Sequence, residues 1–570
     1  MWVLPFLYYH HAYPLTTFYQ EWGAGVLGLM ACSLLLLKPY WLQPEIPRII
    51  LLPIGLMLLV LLQYLLGMVT YFDQVLLFSF YMLWVMLLMM LAHALRLQLG
   101  LRTIATALAI FLLLGAELNA LSGILQHFRW HTFLDSVVTT KNGIAVYGNM
   151  AQPNHYADYI TLGLISLGML RPGLRWWQAV FLAIPLLFVL VLSGSRSAWL
   201  YLVAITVMAF LWQRRDQSLR HVFNFTLILF LGFGLMHLIV QLPWLSGTSG
   251  SITALQRMMT GDTNGSIRLY LWHESWLIFT QFPIMGAGFG KFALQHFQLV
   301  PVLQGVNVTG LYNNAHNIVM QLAAEMGLAG VLIFTATMGA WLWQIRRVEW
   351  TLIHWWGYSA LAIIGIHAML EYPLWYAYFI GVVAILLGLF DTRTFKLELR
   401  AMGRLSVAAI IVLGIIVMFQ LQQNYQSLER ALAMRAQPPG DTTLGQRMRE
   451  GLVAIYGEPL LQPYVELYMN SWVAITHDDL EAKLAFNKRA VEFTPIASVV
   501  YRNAWLLALA GKQEEARLQL ERAIWSYPGD FVAQQRELEP LVQKYPAHFA
   551  ALLEFAIQKN REYLSAISTR

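Results

Sequence analysis

Residues 75–102 read VLLFSFYMLWVMLLMMLAHALRLQLGLR. The first 21 of these contain no Asp, Glu, Lys or Arg, and the run stops at Arg96 and Arg102. A helix needs about 20 apolar residues to cross the hydrocarbon of a bilayer. An uncharged run of that length ending in two cations therefore reads as a membrane span with its basic end held on one side. The same unit recurs along the chain. Apolar spans fall at roughly 20–37, 48–68, 75–95, 103–125, 155–170, 176–193, 197–212, 222–241, 317–344, 352–370, 373–390 and 405–421.

The basic residues sort these spans into two sides. Fifteen of the 21 Lys and Arg residues before position 421 lie in alternate short connections: Lys38, Arg48, Arg96, Arg102, Arg171, Arg175, Arg214, Arg215, Arg220, Arg346, Arg347, Arg393, Lys396, Arg400 and Arg404. Basic short loops mark the cytoplasmic side. Twelve crossings then put both chain ends outside. The outer connections hold Arg129, Lys141, Arg196, Arg257, Arg268 and Lys291. Topology does not need these six, so they are candidates for binding an anion. The opening MWVLPFLYY resembles the last turns of a thirteenth span. It is too short to cross and lacks the basic start of a signal peptide, so we expect a helix upstream of it or an interfacial position for Met1–Tyr9.

Composition agrees with this topology. A chain of 570 residues with 58% hydrophobic and 12% charged residues is an integral membrane protein. Its one cysteine, Cys32, excludes an intramolecular disulfide and a cysteine metal site. The net charge of +6 is accounted for by the cytoplasmic loops, so no nucleic-acid partner is implied.

The expected fold is an all-α polytopic membrane protein, with a membrane domain over residues 1–420 and a helical domain over 421–570. Two outer loops, 126–154 and 242–315, are long enough to be functional. The second contains SGTSGS, GDTNGSIRLYLW and GAGFGKF. After residue 421 the chain carries 16 basic and 17 acidic residues. There NKRAVEFTP (487–495) and LERAIWSYP (520–528) align 33 residues apart. That period, with helix–Gly511–helix between the two segments, matches a tetratricopeptide-like array. Such a tail docks proteins, or is a structural cap.

Several outer residues have chemistry beyond topology. Pro153 marks a boundary and Asn154 can cap the helix that follows. Gln152 admits a structural or a substrate-contacting reading. Arg196 sits in SGSRSA, a connection almost too short to be a loop, and is either a snorkelling arginine or a diphosphate ligand. A planar guanidinium suits a diphosphate through paired hydrogen bonds. Arg268 is the one cation of an apparent interfacial helix. His316 starts a span among Asn313, Asn314 and Asn317, with Glu325 nine residues on, and a histidine there can take a proton from a hydroxyl near neutral pH. Glu371-Tyr372-Pro373 closes another span, with His367 one turn earlier. It is an aromatic-belt anchor with Trp375, Tyr376 and Tyr378, or it lines the same cavity. The outer loops show no clustered acidic metal site.

SGSRSAW, GAGFGKF, NNAHNIVMQLAAEMGLAG and EYPLWYAYF, in that order, resemble the O-antigen ligase and polymerase superfamily. GNMAQPNHYADY, LPFLYYHHAYPLTTFYQEW and the charged helical tail are similar, more narrowly, to bacterial O-oligosaccharyltransferases of the PglL pilin-glycosylation type. The resemblance covers essentially the whole chain and departs at the N-terminus, where that family has a complete first span. It implies en bloc transfer of a glycan from an undecaprenyl diphosphate carrier to a Ser or Thr hydroxyl of a pilin-like acceptor protein. That reaction takes place at the periplasmic face of the bacterial inner membrane. The family's essential histidine falls on His316, its glutamine on Gln152 and its tyrosine on Tyr372. Its pyrophosphate-binding arginines fall on Arg196 and Arg268. Asn154, Asn317 and Glu371 complete the expected donor-binding set. No cofactor is expected, and no obligatory divalent metal, because the outer loops carry no clustered acidic site. The alternatives are an O-antigen ligase with a lipid A-core acceptor or a glycan polymerase. A lipid-glycan transporter would instead place charges through the membrane depth and show matching halves.

Overall fold

The computed structural model describes every residue except 43, 142, 246–263, 304–307, 397–399, 434–443 and 569–570. The chain is an all-α membrane protein. Its helices, in order, begin with α1 (Leu4–Leu7), α2 (Phe18–Cys32), α3 (Leu51–Leu65), α4 (Phe72–Leu99) and α5 (Leu101–Phe128). They continue with α6 (Pro153–Leu170), α7 (Trp176–Leu192), α8 (Ser197–Arg215), α9 (Arg220–Ile239) and α10 (Asn264–Gln281). Next come α11 (Phe292–Leu299), α12 (Ile318–Trp343), α13 (Leu352–Ala368), α14 (Ala377–Phe390) and α15 (Arg400–Ala433). The tail follows as α16 (Leu444–Ala454), α17 (Gln462–Met469), α18 (Leu480–Phe493), α19 (Ala497–Leu509), α20 (Gln513–Ser526), α21 (Phe531–Lys544) and α22 (Pro546–Ser568). Among the described residues, seven helices are long and apolar enough to cross a membrane, and α7 and α14 are shorter apolar helices.

Contacts divide the chain into two units. The first holds Met1–Gly55, Phe80–Thr263 and Phe334–Phe419; the second holds Leu56–Ser79, Asn264–Ile333 and Gln420–Arg570.

In the first unit the basic connections meet one another. Strands β1 (Glu45–Pro47) and β2 (Thr394–Lys396) pair antiparallel, with Ile46 opposite Phe395. The Arg48 N–H donates to the Arg393 carbonyl at 2.9 Å, and the Arg96 guanidinium donates to the Leu389 carbonyl at 2.9 Å. Three connections that the sequence assigns to one side therefore share one end of this unit. Its core is apolar and helix-packed. Small residues let α5 and α6 approach: a Cβ on Gly163 would lie 2.3 Å from the Ala116 side chain. Phe6 is fully buried and stacks on Tyr159 at 4.0 Å, while the Tyr159 hydroxyl donates to the Trp2 carbonyl at 2.7 Å.

In the second unit the tail helices share an apolar core. A core of Val499, Tyr501, Trp505, Leu520, Ile524, Phe549 and Leu552 is buried between α19, α20 and α22. Gly511, at φ +77°, turns the chain between α19 and α20, a backbone state that glycine enters without a Cβ penalty. Helix α12 departs from the single straight span expected over 317–344. It breaks at Gly327, whose φ of +60° and ψ of −158° are non-helical.

Candidate functional site

The 126–154 loop is pinned from both ends. The Gln126 amide donates to the carbonyls of Thr139 (2.6 Å) and Gly148 (2.7 Å). The Asn149 amide donates to Leu7 (2.8 Å) and Val137 (2.7 Å), and its side-chain oxygen accepts from the Thr139 N–H. These bonds fix the chain just before Gln152.

The helix start itself corrects the sequence reading. Gln152, not Asn154, caps α6: its Oε1 accepts the His155 N–H at 2.6 Å. The reason is Pro153. Proline favours the first helical position because it has no N–H to leave unsatisfied, and that puts the cap at residue 152. Asn154 is thereby released for another task. Its Oδ1 accepts the Ser195 hydroxyl at 2.8 Å, and its Nδ2 donates to Glu371 Oε1 at 3.2 Å. One amide thus ties the start of α6, the turn before α8 and the end of α13.

Arg196 is the next residue after Ser195 and stands at the N-cap of α8. The turn that presents it is built locally. Gly194 takes φ +64°, the Ser193 hydroxyl donates to the Leu190 carbonyl at 2.7 Å, and the Ser195 N–H donates to Ser193 Oγ at 3.2 Å. Ser195 commits its hydroxyl to Asn154. Tyr372 follows Glu371 and stacks on Tyr376 at 5.8 Å. Burial, opposed by its hydrogen bond to Tyr376, raises the Tyr372 phenol above its ordinary pKa, so at neutral pH it is a proton donor. Tyr378 is fully buried, so it belongs to the core and not to an aromatic belt. Gln152, Asn154, Arg196, Glu371 and Tyr372 all lie in the first unit, at the end away from the basic connections.

Arg268, His316 and Asn317 lie in the second unit. His316 has φ +50°, uncommon for a residue with a Cβ. Asn314 supports this turn by accepting the His316 N–H on Oδ1 at 3.1 Å. Asn317 Oδ1 accepts from Val319 (3.0 Å) and Met320 (3.1 Å), so Asn317 is the cap of α12 and its side-chain oxygen is committed to the helix start. Ala315 and Met320, on either side of His316, pack in one small core with Ile267 and Leu271, which flank Arg268 on α10.

The GAGFGKF loop braces the His316 helix. Glu325 Oε1 accepts the Phe292 N–H at 3.0 Å. Gln63 donates to the Met285 (2.7 Å) and Glu325 (2.8 Å) carbonyls, and its oxygen accepts from the Phe289 N–H (3.1 Å). Gly286 and Gly327 meet backbone to backbone: a Cβ on Gly327 would lie 2.5 Å from the Gly286 nitrogen. Glu325, noted in the sequence as a polar neighbour of His316, is thus a structural brace.

The other outer cations divide. Lys291 is buried and pairs with Glu492 at 3.4 Å, with Thr70 also bonded to its ammonium. A side chain so engaged is not an anion site. Lys141 lies near Arg129, and burial first, then that arginine, lowers its pKa. Arg257 and SGTSGS (246–251) fall outside the described residues. Among the described residues, no three His, Cys, Asp or Glu side chains gather closely enough to hold a metal ion. Sequence reasoning missed Asp158, a carboxyl on α6 bonded to His367 at 2.6 Å. An acidic residue inside an apolar helix was the available signal.

Comparisons with known proteins converge on this framework. A family model described as "O-Antigen ligase" matches residues 180–335. Another, "Protein glycosylation ligase", matches 146–170, and "Virulence factor membrane-bound polymerase, C-terminal" matches 355–539. The chain is 26% identical over 427 residues to a general O-oligosaccharyltransferase of Acinetobacter baylyi, covering 73% of this chain and 72% of that protein. It is 25% identical over 250 residues to the same organism's ComP-specific O-oligosaccharyltransferase, covering 44% of each. No solved structure matches.

Proposed function

We propose that this chain, a relative of the PglL-type O-oligosaccharyltransferases in the O-antigen ligase and polymerase superfamily, is a membrane glycosyltransferase acting on protein. It moves an oligosaccharide en bloc from undecaprenyl diphosphate to a Ser or Thr hydroxyl of a periplasmic acceptor such as a pilin. The observation that carries this reading is the seating of Arg196 beside the Ser195–Asn154–Glu371 network, at the mouth of apolar helices. A lipid-borne diphosphate meets a protein at that level of the membrane, and a planar guanidinium suits it.

In this reading Arg196 and Arg268 hold the diphosphate, and Asn154, Asn317 and Glu371 contact the donor. His316, Gln152 and Tyr372 serve catalysis. The donor already has a good leaving group, so positioning and stabilisation of the departing charge supply the rate, with no divalent metal. Residues 1–420 form the membrane domain, crossing the inner membrane about twelve times, with its site on the periplasmic side. Residues 421–570 form a tetratricopeptide-like periplasmic domain suited to docking the protein acceptor. The matched ligase and polymerase models favour one second reading, transfer to lipid A-core or to another glycan.

His316→Ala tests the assignment. We expect loss of transfer by about 100-fold or more, with expression and thermal stability preserved. Near-normal activity per folded molecule removes His316 from catalysis. The wild-type pH profile then separates two chemistries. A base loses activity as pH falls through its pKa; a cation holding the diphosphate loses it as pH rises.

A further inference from the structure

We propose that the repeat array of the tail is a positioning part of the transfer site: it grips α11 at both ends and, with α11, seats the turn that presents His316. This inference rests on the transfer reaction proposed above and adds the part of the chain that aligns its histidine.

The two repeat segments use equivalent positions to do this. NKRAVEFTP and LERAIWSYP lie 33 residues apart, so Glu492 in the first corresponds to Trp525 in the second. Glu492 pairs at 3.4 Å with Lys291, the residue that precedes α11. Trp525 packs with Val300, the residue that follows α11, and its ring meets that of Tyr563 on α22 edge-on at 5.4 Å. One repeat position thus holds each end of an eight-residue helix. Between these contacts Leu294 and Phe297, three positions apart on one face of α11, enter the apolar core of the tail. Burying a side chain such as Phe297 contributes about 1.5–3 kcal/mol, so this seat is firm.

The other face of α11 meets the stretch that leads to His316. Phe292 and Leu299 pack with Leu271 on α10 and with Ala315, the neighbour of His316. His296 Nδ1 bonds the Glu274 carboxylate on α10 at 2.9 Å, and both side chains are buried. The Tyr312 ring stands 5.3 Å from that of His296. The Gly310 N–H donates to the Ser526 carbonyl at 2.7 Å. Ser526 is the last residue of α20, where helix carbonyls lack an intrahelical partner. This bond therefore satisfies the end of a tail helix and anchors the stretch Gly310–His316 at its start. A tail that only docked an acceptor would need no such bond. His316 itself takes φ +50°, a backbone state that persists where the surroundings over-determine it. The array and α11 supply those surroundings. Trp525 and Val300 are positioning residues, acting through the placement of His316, and the remaining surfaces of the array serve the acceptor.

The test uses the purified full chain, a synthetic polyprenyl-diphosphate oligosaccharide and two acceptors, a pilin-like protein and a short Ser-containing peptide. Trp525→Ala, Trp525→Phe and Val300→Ala are compared with wild type per folded molecule. Leu538→Ala, which opens the same tail core from α21, is the structural control. Positioning predicts that Trp525→Ala lowers kcat about 10- to 100-fold for both acceptors, with both KM values within about twofold. Trp525→Phe should recover most of the loss, and Leu538→Ala should keep the wild-type kcat. If Trp525→Ala does not fold, Val300→Ala decides by the same pattern, since it trims the same contact from the other side. An unchanged kcat, a loss confined to the KM of the protein acceptor, or equal kcat losses in Trp525→Ala and Leu538→Ala overturns the positioning role and leaves the transfer reading standing. A wild-type protein that transfers glycan to neither acceptor overturns the transfer reading and this proposal with it.

Discussion

Replacing Asn154 by Asp changes one amide to a carboxylate without changing shape, and it sets a charge against Glu371. The atom that donates to Glu371 at 3.2 Å becomes an oxygen. At that separation two full charges repel by about 5 kcal/mol at an effective dielectric constant of ~20. The protein need not bear all of this, since one carboxyl can take a proton. From an ordinary carboxyl pKa of ~4.3, holding that proton at pH 7 costs about 2.7 × 1.36, or roughly 3.7 kcal/mol. That figure is the ceiling on the destabilisation at pH 7. The shared proton raises the folded-state pKa of the pair above its unfolded value. The variant is therefore near wild-type stability at about pH 4.5 and loses stability as pH rises. Thermal unfolding of both proteins in detergent between about pH 4.5 and 8 reads this directly. A variant whose unfolding temperature tracks wild type at every pH would refute the rung that links α6 to α13.

Other outcomes follow from the same geometry. Arg196→Lys keeps the charge but loses the forked donor, so donor KM should rise about 10- to 100-fold while thermal stability holds; an unchanged KM at limiting lipid-linked glycan removes the diphosphate from this arginine. Gly327→Ala forces a Cβ within 2.5 Å of the Gly286 nitrogen in a backbone region that glycine alone favours. It should cost about 3 kcal/mol or more, read as a large fall in unfolding temperature. Gly339→Ala on the same helix has open space around it; it should be neutral or gain up to about 1 kcal/mol, and a loss equal to that of Gly327→Ala would refute the close-approach argument.

Much of the helical frame was legible because apolar length and basic connections are local signals. The pairing of Glu45–Pro47 with Thr394–Lys396 then brings together two connections that positive charge had already assigned to one side. The site was legible residue by residue but not in its wiring. Asn154 meets Glu371 217 residues away, a contact that local pattern cannot report. Its true role was also hidden behind a capping assignment that Pro153 should have moved to Gln152. Lys291 was misread for a similar reason: its partner Glu492 lies 201 residues on, so the sequence showed only an unexplained cation. The break in α12 was encoded in a single glycine, which within an apolar run is usually tolerated as helix.

The central claim is that a complete glycan moves from a lipid diphosphate to a protein hydroxyl. The most direct measurement is transfer in a host that makes one defined lipid-linked oligosaccharide, with a pilin-like protein and lipid A-core present side by side. Intact-mass and peptide analysis of the protein should show the whole oligosaccharide, added in one step to Ser or Thr, with the lipid A-core unmodified. Glycan on lipid A-core alone, or lipid-linked chains lengthened with the protein bare, would contradict the account.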